Sequence, residues 1–214
     1  MKHYGTYIFD LDGTLLDTLD DLTDAVNAAL ASNHMPRRLK EEVRRMVGNG
    51  VRVLMQRAVP EETPRLLFEK VFDDFRQYYK VHALDKTTPY DGIVRMIDEL
   101  KQRGCRMAVV SNKMMAATQL LVGRFFPEIR VAIGEHEDEG IRKKPAPDTV
   151  FEALRRLGVS TDNAVYVGDS DVDIMTARNS GLPCISVLWG FRDKEFLVSH
   201  GASVFAASPE ELYL

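Results

Sequence analysis

The chain has 214 residues, a formal charge of -4, and hydrophobic and charged fractions of 45% and 28%. That length buries a real core and accommodates one large domain beside a smaller one, and the acidic balance offers no polybasic footprint for nucleic acid. No apolar run reaches the roughly 18 to 20 residues of a membrane helix, and "MKHYGTYIFDLDG" is no secretory leader, so a cytoplasmic protein without membrane or nucleic-acid partners is expected.

The first predicted strand, Thr6 to Phe9, is an apolar run too short for a helix, and two aspartates, Asp10 and Asp12, follow it directly. "TLDDLTDAVNAALASN" then places Leu22, Ala25, Val26, Ala29 and Leu30 on one stripe of an amphipathic helix. Thr18 is its expected N-cap, with Asp20 and Asp21 in the first turn, where carboxylates suit the helix dipole. "LKEEVRRMV", "VRVLMQRAV" after the break "GNG", and "PRLLFEKVFDDFRQYYKVHAL" continue as helices. Residues 17–86 therefore read as an all-helical block inserted after the first strand.

From Asp91 the rhythm changes to alternating elements. "GIVRMIDELKQRG", "AATQLLVGRFF", "PDTVFEALRRLGV" and "VDIMTARNSG" are helical. Between and after them "CRMAVVS", "IRVAIG", "NAVYVGD" and "PCISVLWG" are strands. Alternation of this kind predicts an α/β core, a doubly wound parallel sheet, formed by residues 1–16 and 87–214, with the helical block as a cap domain. Cys105 and Cys184 lie in apolar segments without metal-ligand spacing and are expected to be reduced core residues. His3, His34, His82, His136 and His200 are scattered, and no metal is assigned to them.

Polar residues fall at or just beyond four strand ends: Asp10, Ser111, Lys144 and Asp169. In open α/β sheets ligands bind outside the carboxyl ends of the strands, so these groups are expected to converge. Carboxylates crowded at such an edge repel one another unless a cation neutralises them, and Mg2+ prefers hard oxygen donors and bridges carboxylate to phosphate. Neither acidic turn is a calcium loop. In "DLDGT" Leu15 stands where the loop glycine is required and Asp21 where the bidentate glutamate belongs, and "DSDVDIMTARNS" has Ile174 and Ser180 at those places. Acidic turns that merely cap helices remain the plain alternative for each turn taken singly.

"FDLDGTLLDT", "VVSNK", "KKPAPDTVFEAL" and "VGDSDVDIMTA" together resemble the haloacid-dehalogenase-like superfamily, with its four signature blocks in order across essentially the whole chain. Within it the chain is most similar to the phosphoglycolate phosphatase group, through "MVGNGVRVLM", "SNK" and "SVLWGF". The resemblance implies a Mg2+-dependent phosphatase. Asp10 is its nucleophile and Asp12 its general acid and base. Members that cleave carbon–halogen bonds lack a second acid at the Asp12 position, because halide leaves without a proton. The implied metal residues are Asp10, Asp12 through its backbone carbonyl, Asp169 and Asp173, the last either a ligand or an orienting group for Lys144. Ser111, Asn112 and Lys144 are implied to hold phosphoryl oxygens, and Thr14 to pin the turn near the phosphate pocket. Relatives in this group carry Pro after "NK"; here Met114 follows Lys113, which bears on the donor geometry around Asn112.

The glycines of "GNG" let backbone N–H groups approach an anion, so Asn49 and Arg52 are candidate contacts for a substrate carboxylate, with an ordinary helix–helix turn as the alternative. The expected partner is a small phosphate ester, acted on by a monomer or homodimer. Competing readings are a pyrophosphatase, a sugar-phosphate phosphatase or phosphomutase with the same machinery, and a phospho-accepting signalling domain that does not turn over.

Overall fold

The computed structural model describes residues 3–136 and 140–214. Its chain divides into two compact units, Met1–Leu16 with Pro89–Leu214, and Asp17–Thr88. In chain order the strands are β1 (Thr6–Phe9), β2 (Leu16–Asp17), β3 (Thr88–Pro89), β4 (Arg106–Met114), β5 (Val131–Glu135), β6 (Ala164–Gly168), β7 (Cys184–Val187) and β8 (Phe205–Ala206). The helices are α1 (Leu19–Ser32), α2 (Lys40–Met46), α3 (Val51–Ala58), α4 (Arg65–His82), α5 (Ile93–Gln102), α6 (Met115–Phe125), α7 (Asp148–Leu157), α8 (Asp171–Ser180) and α9 (Lys194–Ser199).

Six strands form one sheet in the order β5-β4-β1-β6-β7-β8, every neighbouring pair parallel. A parallel sheet of this kind is covered on both faces, which is why β1 shows no apolar–polar alternation and all four of its residues are buried. Successive side chains still point to opposite faces. Tyr7 and Phe9 pack with Val109, Val165 and Val167 against α5 and α6 residues such as Ile97, Leu100 and Leu121. Ile8 faces the other way, with Ala108, Val110 and Tyr166, against Val150 and Leu154 of α7 and Ala177 of α8. β1 is central, in register with both β4 and β6, so Phe9, Val109 and Val167 lie side by side. The chain leaving these three strands therefore delivers Asp10, Ser111 and Asp169 to one edge.

In the helical unit α1 and α4 bury facing stripes, Leu22, Val26, Ala29 and Leu30 on one, Phe68, Val71, Phe72, Phe75 and Tyr79 on the other. At the start of α1, Asp20 and Asp21 fall in the first turn as the sequence reading has it. Thr18 occupies the N-cap, but its side chain makes no capping bond, and the Leu19 N–H donates to Asp17 Oδ1 instead. Asp21 is buried rather than solvated. Its carboxylate accepts the Lys86 and Thr87 backbone N–H groups and the Thr87 hydroxyl, at 2.8 to 3.1 Å. A polar residue shut from water needs such partners, and the local dipole gives no reason for that burial. The outgoing and returning segments at residues 16–17 and 88–89 pair as a two-stranded ladder, and the Tyr90 N–H donates to the Leu15 carbonyl. No helix among the described residues is long and apolar enough to cross a membrane.

Candidate active site

The turn after β1 is wound tightly. The Leu11 carbonyl accepts the Thr14, Leu15 and Leu16 N–H groups, and the Gly13 N–H donates to the Leu16 carbonyl. Gly13 has φ +83°, and a Cβ there would stand 2.4 Å from Asp169 Oδ2, so only glycine permits this turn so near that carboxylate. Trp189 fastens the turn from the other side, its indole N–H donating to the Thr14 carbonyl at 2.9 Å. Gly190 follows for a steric reason: a Cβ on it would fall 2.3 Å from Asp169 Cβ.

Asp10, Asp169 and Asp173 meet here, each offering a carboxylate oxygen within 4.8 Å of the others, all three buried. Asp169 is held on both sides: the Thr14 hydroxyl donates to Oδ1 at 3.2 Å and the Phe191 N–H to Oδ2 at 2.7 Å. Thr14, expected near the phosphate pocket, is fully buried and spends its hydroxyl on orienting Asp169.

Asp173 uses both oxygens within the protein. Oδ2 accepts the Asp169 N–H, the Ser170 N–H and the Ser170 hydroxyl, while the Ser170 Oγ accepts the Asp173 N–H, a reciprocal cap on α8. Oδ1 accepts Lys144 Nζ at 2.8 Å and the Tyr166 hydroxyl at 3.0 Å. Five donors on two oxygens make Asp173 an anchor for Lys144 and for the start of α8.

The Lys144 ammonium is nearly inaccessible and directs its three hydrogens at Asp10 Oδ1 (2.8 Å), Asp173 Oδ1 (2.8 Å) and the Tyr166 oxygen (3.0 Å). Its backbone is fixed by Asn112, whose side-chain carbonyl accepts the Lys144 N–H at 2.8 Å and whose amide donates to the Lys144 carbonyl at 3.0 Å. β4 runs three residues beyond the predicted strand, through Asn112, Lys113 and Met114, which is what brings the Asn112 amide level with Lys144. Ser111 is buried at the same edge, its oxygen accepting the Lys113 N–H at 3.2 Å. Lys143 points elsewhere, pairing with Glu135 at 3.6 Å.

The electrostatics follow from this crowding. Burial pushes the Asp10 carboxyl well above the usual range, Asp173 adds to the rise, and Lys144 opposes it. Burial and then Asp173 raise Asp169 to about 7, against the pull of the Phe191 N–H and Arg192. Burial by itself would lower Lys144, but the Asp10 and Asp173 carboxylates outweigh it and hold the ammonium charged. Three carboxylates facing this one ammonium leave an excess of negative charge among hard oxygen donors. That donor set fits Mg2+ and does not fit a thiolate- or imidazole-preferring metal.

Asp12 Oδ1 lies 3.0 Å from the ammonium of Lys113, whose side chain is 1% exposed. Sequence reasoning passes over Lys113, Tyr166 and the Asn112 side chain. Tyr166 leaves a visible signal, a polar residue within an otherwise apolar strand, whereas Lys113 lies beyond the predicted end of its strand. Asn49 and Arg52 belong to the helical unit. There Arg52 forms a two-pronged ion pair with Glu69 at 2.9 and 3.0 Å and lies over the Phe72 ring, so its guanidinium is already engaged.

Residues 7–187 match the family model described as haloacid dehalogenase-like hydrolase. A phosphoglycolate phosphatase of Xanthomonas campestris pv. campestris is 31% identical over all of this chain and 96% of its own length. A crystal structure from Lactobacillus delbrueckii subsp. bulgaricus, of a candidate phosphoglycolate phosphatase, superimposes with a TM-score of 0.94 at 39% identity, covering 99% of this chain and 98% of that one. The CbbY protein of Rhodobacter sphaeroides, crystallised in complex with phosphate, follows at 0.74 and 26%, covering 98% of this chain and 96% of that one.

Proposed function

We propose that this chain, which belongs to the haloacid dehalogenase-like hydrolases, is a Mg2+-dependent phosphatase of a small phosphate monoester, with 2-phosphoglycolate as its substrate and an aspartyl-phosphate as its intermediate. The observation that carries the reading is the meeting of Asp10, Asp169 and Lys144 at the carboxyl edge of β1 and β6. An isolated acidic helix cap has no use for a nearly inaccessible ammonium beside a strand-end aspartate.

In this reading an Asp10 oxygen attacks phosphorus, forming an acyl phosphate as the ester P–O bond breaks. Asp12 gives its proton to the departing alkoxide and then takes one from the water that attacks the acyl phosphate, which releases inorganic phosphate and restores Asp10. Lys144, clamped by Asp173, Tyr166 and the Asn112 amide, is a fixed positive charge beside the nucleophile and the phosphoryl oxygens. Ser111 and the Asn112 N–H are the remaining phosphoryl donors. Asp10, Asp169 and the Asp12 backbone carbonyl would hold Mg2+, which when bound neutralises charge on the transferring group. Asp173 acts through Lys144.

Phosphate release from a panel of small monoesters, with Mg2+ and with EDTA, tests the proposal beside Asp10→Asn. Turnover of 2-phosphoglycolate that needs both Mg2+ and Asp10 supports it. Absence of phosphate release from every ester overturns it, and a stable acyl phosphate formed once per chain identifies a signalling domain instead. Arg52→Ala with unchanged selectivity between 2-phosphoglycolate and longer esters would remove the assignment of Asn49 and Arg52 to the substrate carboxylate.

A further inference from the structure

The site contains a second buried cation, which the scheme above leaves unused. Lys113 is placed near the end of β4, its side chain 1% exposed, with Nζ 3.0 Å from Asp12 Oδ1. Desolvating an ammonium costs several kcal/mol unless a carboxylate meets it, and an apolar residue would fill the same space without that penalty. Lys144 serves Asp10 and Asp173, whereas Lys113 meets Asp12.

We infer that Lys113 is the positioning residue for Asp12, resting on the phosphatase reading: it grips Oδ1, fixes the plane of the carboxyl group and so aims Oδ2 at the ester oxygen that leaves. Asp12 needs such a guide because it sits on a turn beside Gly13 rather than within a helix or a strand of the sheet. A proton donor is effective only within hydrogen-bond reach of its acceptor, and small misplacements are costly in rate. The chemistry is unchanged by Lys113. The proton that reaches the leaving oxygen comes from Asp12, and the ammonium neither gains nor loses one.

The test uses the full chain with Mg2+ and two esters of opposite demand. The alkoxide leaving 2-phosphoglycolate is strongly basic and needs a proton, whereas the phenolate leaving 4-nitrophenyl phosphate departs largely unaided. In single turnovers, which read the first step and not the later hydrolysis of the acyl phosphate common to both esters, Lys113→Met is expected to slow the alkyl ester by about 10- to 100-fold, up to the lower end of the ~10²–10⁴ that a positioned acid contributes, and the aryl ester by less than about threefold. The aryl reaction also reports that the variant is folded. Lys113→Arg should recover part of the alkyl rate. In an Asp12→Asn background, adding Lys113→Met should cost nothing further, since the two act as one unit.

Equal losses of that single-turnover rate on both esters, losses that multiply in the double variant, or a rise in KM with kcat unchanged would each overturn the inference, the last by making Lys113 a substrate anchor. Should Lys113→Met not fold, Lys113→Gln is read by the same ratio of alkyl to aryl rates. Wild type that turns over neither ester sinks the phosphatase reading itself, an outcome distinct from every result above.

Discussion

Replacing Tyr166 by phenylalanine removes one oxygen from the interior and nothing else. Tyr166 is fully buried on β6, and its hydroxyl accepts from Lys144 Nζ while donating to Asp173 Oδ1, both at 3.0 Å. The other two Lys144 hydrogens are on Asp10 and Asp173, so the substitution leaves the third facing a ring edge where water has no access. A hydrogen bond to a charged group contributes about 1.5–3 kcal/mol. For a chain of this size each kcal/mol moves the melting temperature by about 2–4 °C, which predicts a fall of about 3–12 °C.

Tyr7 supplies the internal comparison. Its hydroxyl donates to a neutral partner, the Leu212 carbonyl, at 3.0 Å, so Tyr7→Phe should cost only about 0.5–1.5 kcal/mol. Thermal melts and urea titrations of both variants, read for midpoint shifts at constant slope, decide the matter. A Tyr166→Phe protein that melts within about 1 °C of wild type, or above Tyr7→Phe, would refute the claim that Lys144 depends on that oxygen.

Gly13→Ala places a methyl 2.4 Å from the Asp169 carboxylate at φ +83°, so it should destabilise the fold and abolish phosphate release, whereas a wild-type rate would show that the turn yields freely. Because Asp169 in the cation-free protein is raised to about 7 by burial and Asp173, its contribution to stability is present at low pH and lost as pH rises through that value; Mg2+ should accordingly raise the melting temperature more at pH 8 than at pH 5.5, and the reverse order would contradict the carboxylate cluster. Burial, then Asp173, pushes the Cys184 thiol up to about 12, so native protein should resist iodoacetamide at pH 8 at this position, and rapid modification found by peptide mass mapping would show the segment to be open. Asp21→Ala leaves the Lys86 and Thr87 N–H groups without their carboxylate, and its cost should appear as a lower melting temperature of about 2–4 °C per kcal/mol; an unchanged melt would mean that water replaces the contact.

The sheet is readable because its strands are short apolar runs separated by helices with clear stripes, and parallel order then carries strand ends to one edge. Asp10, Ser111 and Asp169 follow from that logic alone. Lys144 is different. It sits in a loop of mixed charge beside Arg142 and Lys143, and what selects it is the Asn112 amide, a contact across 32 positions with no trace in local pattern. Thr14 and Asp173 stand in the expected neighbourhood, but their partners are other protein groups, a matter of rotamer and burial rather than of residue type. The extension of β4 past Ser111 is hidden as well, since Asn and Lys are poor strand formers and only the pairing of Met114 with Glu135 reveals it. Two-residue strands such as those at 16–17 and 88–89 carry too few side chains for any period to show.

Those two short strands have an architectural consequence. The chain leaves the first unit at Leu16 and re-enters it at Pro89 through adjacent, paired strands, so the segment between them is a cassette with its ends already joined. A few flexible residues in its place would close the gap without rethreading a single strand. The residues between positions 17 and 88 can thus be lengthened, exchanged or removed without disturbing the order of the six parallel strands.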